Sequence, residues 1–195
     1  MVKEGYLFSA PPLLAGLVLW VLNRFVFGYA IWLNWLAAIC IFLGLFVLYF
    51  FRDPHRVIPE DPAAVVSPAD GRVVEIVDEA WEGKPGRRIS IFLSVWNVHV
   101  QRAPVAGAII RLDYCPGRFY AALRARASVE NEQNVFSLST PRGEIMFKQI
   151  AGWIARRVVS WKAAGDSVTR GERVGMIRFG SRVDVWLTPE VEIVV

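Results

Sequence analysis

The chain has 195 residues, enough for one domain or for one domain carrying a membrane anchor. Its apolar content of 54% exceeds the globular average, and the excess is concentrated at one end. A net charge of +4 suits contact with anionic lipid, but there is no dense basic stripe, which argues against a nucleic-acid partner. Cys40 and Cys115 lie far apart and share no metal-type spacing with His55 or His99, so neither a disulfide scaffold nor a metal site is expected.

Residues 1–51 hold three charged side chains, Lys3, Glu4 and Arg24. Within them, residues 29–51 form 23 uncharged positions with one amide, Asn34, long enough to cross a bilayer core that needs about 20 helical residues. A shorter apolar run, 11–22, precedes it and is interrupted by Asn23 and Arg24. The anchor is therefore one span with an interfacial helix, or two spans joined by a turn between Arg24 and Gly28. A buried core helix is the competing reading of 29–51, and its length speaks against that. No small-residue cleavage site follows the apolar run, so a removable secretory signal is disfavoured. Arg52, His55 and Arg56 follow the long run directly, and the positive-inside bias then puts the rest of the chain in the cytoplasm.

Residues 52–62 contain Pro54, Pro59 and Pro62, which break helices and stiffen a linker. Beyond it the chain is mainly β. Strands are expected at 72–77, 88–94, 108–114, 134–139, 144–150, 156–161, 174–179, 183–187 and 191–195, with a hairpin turn at Thr140-Pro141-Arg142-Gly143. Only 119–126 has a helical look. The glycine-rich connector 165–175 has the turn pattern of the folded-over sandwich of lipoyl and biotinyl carrier domains, so a barrel-sandwich architecture is expected for 52–195.

Three segments carry candidate chemistry. In Arg178-Phe179-Gly180-Ser181-Arg182-Val183-Asp184, the Ser181 hydroxyl can attack the unhindered Gly180 carbonyl. Ester formation, elimination to dehydroalanine and hydrolysis would convert Ser181 to a pyruvoyl group and release ammonia. A plain β-turn is the bland reading of a Gly-Ser pair. His99, in Trp96-Asn97-Val98-His99-Val100-Gln101-Arg102-Ala103-Pro104, titrates near neutrality and is the candidate base; His55 sits in a polar linker and is weaker. Asp70, in Ser67-Pro68-Ala69-Asp70-Gly71, is either a turn residue or the carboxylate that holds His99 in one tautomer. Glu130, Asn131, Glu132 and Asn134 form a polar cluster, read as a solvated loop or as the lining of a headgroup pocket.

These segments, in this order, resemble the phosphatidylserine decarboxylase proenzymes of the small bacterial and archaeal form. Phe51-Arg52-Asp53-Pro54, Glu130-Asn131-Glu132-Gln133-Asn134 and Gln149-Ile150-Ala151-Gly152 extend the match along the chain. The resemblance implies self-cleavage between Gly180 and Ser181 into a large and a small chain that stay one folded unit. It implies a pyruvoyl group at 181 as the covalent cofactor, with catalytic roles for Ser181, His99 and Asp70. The implied reaction is decarboxylation of phosphatidylserine to phosphatidylethanolamine, through a Schiff base, at the cytoplasmic side of the cell membrane. Two departures stand out: Phe-Gly-Ser-Arg replaces the Leu-Gly-Ser-Thr of larger members, and Arg102 stands where those carry a second histidine. The 15 residues from Ser181 to Val195 also stop before an expected final glycine turn and strand. Rival readings are a membrane-tethered lipoyl-like carrier, for which Lys84, Lys148 and Lys162 lack the usual setting, and a pyruvoyl enzyme for another amino-acid headgroup. Monomer and homodimer both stay open.

Overall fold

A computed structural model describes residues 1–194 except 142, 154–156 and 179. It divides into two compact units, Met1–His55 and Arg56–Val195. The first consists of α1 (Lys3–Phe25) and α2 (Ile31–Phe50), both long and apolar enough to cross a bilayer. The first helix starts well before the apolar run at 11–22 and carries Pro11 and Pro12 inside it. The two helices pack closely because glycines face the partner. A methyl group at Gly16 would lie 2.7 Å from Ile41, and one at Gly44 would lie 2.4 Å from Leu13. Asn34, the one amide of the apolar run, accepts a 2.8 Å hydrogen bond from Asn23, which also donates to the Ala30 carbonyl. That satisfies polar groups which hydrocarbon cannot.

The second unit is mainly β, as the sequence pattern indicates. Its strands are β1 (Arg72–Asp78), β2 (Arg87–Leu93), β3 (Val100–Arg102), β4 (Gly107–Cys115), β5 (Gln133–Thr140), β6 (Gly143–Ala151), β7 (Val158–Ser160), β8 (Ser167–Val168), β9 (Arg173–Ile177) and β10 (Ser181–Leu187). A seven-stranded antiparallel sheet runs β1-β2-β10-β6-β5-β4-β8, and β3-β9-β7 form a second sheet. Between them Leu93, Phe136, Phe147, Ile177 and Val183 build the core, with the Phe136 and Phe147 rings stacked at 4.5 Å.

Alternate residues of β10 point away from this core and are still buried. There Arg182 Nε donates to Asp184 at 2.6 Å, and Arg182 and Arg88 both donate to the Ser90 hydroxyl. Lys148 lies beside them with its ammonium 4.8 Å from the Trp81 ring and 5.2 Å from that of Trp186. Burial holds that ammonium below the ordinary lysine range, with nearby Asp184 pulling the other way.

Three expectations are corrected. Residues 119–126 are irregular chain and turns, because Asn131 takes both the N–H and the C=O of Tyr120 and denies them to a helix; the short helix here is α3 (Ala127–Glu130). Residues 191–194 form no strand, since β10 already has neighbours on both edges, although Val191 and Ile193 still pack on the core. The predicted strand 156–161 is observed over Val158–Ser160. Arg142, Arg156, Phe179 and Val195, parts of predicted elements, fall outside the described residues.

Candidate active site

Ser181 is the first residue of β10, paired with Leu93 on one side and Ala151 on the other. It is 0% exposed, and its hydroxyl has no hydrogen-bond partner among the described residues. An orphaned buried hydroxyl costs about 1–3 kcal/mol, which ordinary folding selects against. The preceding Gly180 has φ +66°, the left-handed region that a side chain would strain. It belongs to the short crossing from β9 in the small sheet to β10 in the large one.

His99 meets this crossing from the other side. It stands just before β3 and is 1% exposed. The Asn97 side chain caps the preceding turn by accepting from the Ser94 N–H and hydroxyl, and the His99 carbonyl accepts from Ile177 N–H. Gly180 N–H donates to His99 Nε2 at 3.3 Å, while Nδ1 lies 3.0 Å from the Asn97 carbonyl. Because a backbone N–H can only donate, Nε2 is the acceptor, so the imidazole is neutral with its proton on Nδ1. The Nε2 lone pair is thus held on the Gly180 N–H, one residue before Ser181.

The Gly180 carbonyl rests against Gly152, which follows β6. A methyl group at Gly152 would lie 2.1 Å from the Gly180 oxygen and 3.5 Å from Ala122. Only a residue without a side chain allows this approach. The strand end beside it is fixed by Asn131, whose Nδ2 donates to the Ala151 carbonyl at 2.7 Å. Gly152→Ala is thus expected to displace the junction carbonyl and slow any reaction there by about 100-fold, as misplacement by an ångström does. Timed gel analysis of the purified chain checks this, and scission at the wild-type rate would contradict the assigned contact.

Asp70 lies in the turn after Pro68, which is tied to β3 by an Arg102 N–H bond to the Pro68 carbonyl. Its carboxylate accepts from Arg56 at 2.6 Å, with the side chain 36% exposed. The structure thus bonds His99 to Gly180, the residue before Ser181, gives Nδ1 to the Asn97 carbonyl and gives Asp70 to Arg56. Of the polar cluster, Glu130 is exposed, whereas Asn131, Glu132 and Asn134 are buried, which removes the solvated-loop reading for those three. Glu132 accepts from Val158 N–H, and Asn134 donates to Gln149, which donates to Gln101. Glu132, Asn134, Arg157, Ser160 and Tyr114 line a cavity of about 470 Å³. A larger, mostly apolar cavity of about 910 Å³ is lined by Ile89, Ile91, Val185 and Leu187, and by none of the junction residues. The parts that sequence reasoning missed are Gly152, Asn131 as a clamp and the Asn97 carbonyl. A glycine directly after a strand was the available signal for the first.

The mainly β fold holds a buried serine behind a left-handed glycine, with an imidazole bonded to that glycine's N–H. The family model described as phosphatidylserine decarboxylase matches residues 43–195. A phosphatidylserine decarboxylase proenzyme of Burkholderia cenocepacia (strain HI2424) is 43% identical over 190 residues, covering 96% of this chain and 85% of the relative. One of Solibacter usitatus (strain Ellin6076) is 51% identical over 155 residues, covering 80% of this chain and 74% of the relative. The chain belongs to the phosphatidylserine decarboxylase family, and it is a decarboxylase.

Proposed function

We propose that this chain is a proenzyme that cuts itself between Gly180 and Ser181 and then decarboxylates phosphatidylserine to phosphatidylethanolamine. The observation that carries the reading is the buried, unpartnered Ser181 hydroxyl beside a Gly180 whose N–H is bound by His99 Nε2. Residues 1–51 act as the membrane anchor and 52–195 as the catalytic part. Arg52, His55 and Arg56 favour the cytoplasmic side for the latter.

In the proposed self-cleavage, His99 Nε2 takes the Ser181 hydroxyl proton as the oxygen adds to the Gly180 carbonyl carbon. The C–N bond then breaks, and the same proton passes to the nitrogen of residue 181, leaving an ester. Loss of the Ser181 α-proton and departure of the Gly180 carboxylate leave a dehydroalanine end. One water replaces its nitrogen, releasing ammonia and leaving the ketone. The site suits a group made in this way: it is buried, and β2 and β6 grip β10 from both sides, so the new chain end keeps its place after scission. A pyruvoyl group supplies a ketone that captures a primary amine and accepts the electrons released as a carboxylate leaves. His99 stays beside that end as the proton donor to the product's α-carbon. Asp70, whose carboxylate Arg56 holds, either supports His99 from the turn before β1 or serves that turn alone, and the cavity beside Glu132 and Arg157 receives the polar headgroup.

The test is turnover by the full chain in nanodiscs. Phosphatidylserine should lose carbon dioxide and yield phosphatidylethanolamine. Release of carbon dioxide from another amino-acid headgroup but not from serine would overturn the substrate assignment. Membership of the decarboxylase family replaces the carrier reading.

A further inference from the structure

We propose that the loop 116–131 and Trp153 form a rim around the Gly180–Ser181 junction that docks on an anionic bilayer surface, an inference that rests on a lipid being the substrate. The loop is firmly placed. Its base is closed by Arg118 N–H to the Glu130 carbonyl and Glu132 N–H to the Arg118 carbonyl. Asn131 holds both backbone groups of Tyr120 and, from the same side chain, the Ala151 carbonyl opposite Ser181. Ala122 is buried against the Gly152 position that cradles the Gly180 oxygen.

From this buried contact the chain turns apolar groups outward. Leu123, next to Ala122, is 60% exposed; Trp153, next to Gly152, is 69% exposed; Val129 is 77% exposed. Exposed large apolar side chains next in sequence to the Ala122–Gly152 contact mark a contact surface. The charge selects the partner. Residues 116–131 carry Arg118, Arg124 and Arg126 against the single acid Glu130. Arg118 and Arg126 lie over the Tyr120 ring, and Arg118 also donates to its hydroxyl. Among the described residues, none of the three arginines has an acidic side chain as an ion-pair partner. Leucine, tryptophan and valine among unpaired guanidinium groups match the boundary of a bilayer that contains anionic headgroups. Such a rim would bring the buried junction to the depth of a lipid headgroup.

The test uses the full chain in nanodiscs, with Cys40→Ser and Cys115→Ser as background and an environment-sensitive fluorophore on Leu123→Cys. In discs containing phosphatidylserine the fluorophore should shift to the blue and be quenched by doxyl-labelled lipid. Emission as in water, without quenching, would overturn the rim. So would a blue shift that persists in lipid-free detergent together with cross-linking between copies, which would assign the surface to a second chain. In parallel, Arg124→Gln with Arg126→Gln should raise KM for bilayer phosphatidylserine by about 30-fold, each lost arginine being worth about fivefold at an anionic surface. Self-cleavage and turnover of a soluble short-chain phosphatidylserine should stay unchanged in that variant, and equal loss on soluble and bilayer substrate would count against docking. If the parent chain neither cleaves nor turns over soluble substrate, the decarboxylation reading fails, while the lipid quenching still decides the rim.

Discussion

Ser181→Ala is expected to leave the chain intact and without decarboxylase activity, the largest effect of any single substitution considered. No other residue can supply the oxygen that adds to the Gly180 carbonyl, because the reaction needs a nucleophile on the residue that becomes the new chain end. The fold should tolerate the change. The Ser181 hydroxyl is buried without a partner among the described residues, so its removal relieves a penalty of about 1–3 kcal/mol and leaves no other group stranded. Gel analysis and thermal melting check both halves: a full-length band with a midpoint at or above that of the unprocessed wild-type chain is expected. A split Ser181→Ala chain would rule out the serine mechanism. An intact but unfolded one would contradict the reading of the hydroxyl as an uncompensated cost.

His99→Ala should slow self-cleavage by about 100- to 10,000-fold, the usual contribution of a positioned acid–base group. Its Nε2 bonds the Gly180 N–H, and the Asn97 carbonyl fixes the other nitrogen, so no second side chain needs to rotate into place. The same geometry sets the sign of the pH dependence. Protonated imidazole has no lone pair and would set an N–H against the Gly180 N–H. Cleavage should therefore slow as the pH falls and His99 becomes charged, and Ser181→Ala gives the uncut baseline at every pH. A rate that is flat across this titration, or a His99→Ala chain that matures normally, would remove the imidazole from the site. Asp70→Asn separates the two readings of that carboxylate. If it supports His99, cleavage slows; if it serves the turn and Arg56 alone, cleavage keeps its rate and only stability changes.

Much of this site was legible in the sequence. Ser181, Gly180 and His99 stood in short segments whose residue types fitted the chemistry, and the structure bonds His99 to the Gly180 N–H. The β strands followed from runs of valine and isoleucine, and the β5–β6 hairpin was marked by its turn residues. What failed had a physical cause. The helical look of 119–126 came from alanine, leucine and arginine propensity, which one buried asparagine overrides through two hydrogen bonds to the Tyr120 backbone. The tail 191–194 has strand-forming residues but no open sheet edge to join. Gly152 drew no notice as a site residue because its role depends on a carbonyl 28 residues away, and only packing reveals that contact.

The account stands or falls on the chemical nature of the chain end at position 181. Intact mass spectrometry of the purified full chain, before and after treatment with an amine and cyanoborohydride, measures it directly. The account predicts two polypeptides, the smaller beginning at residue 181 with a ketone in place of its amine and gaining mass on reductive trapping. A single uncut chain, or a small chain beginning with an ordinary serine amine, would contradict it.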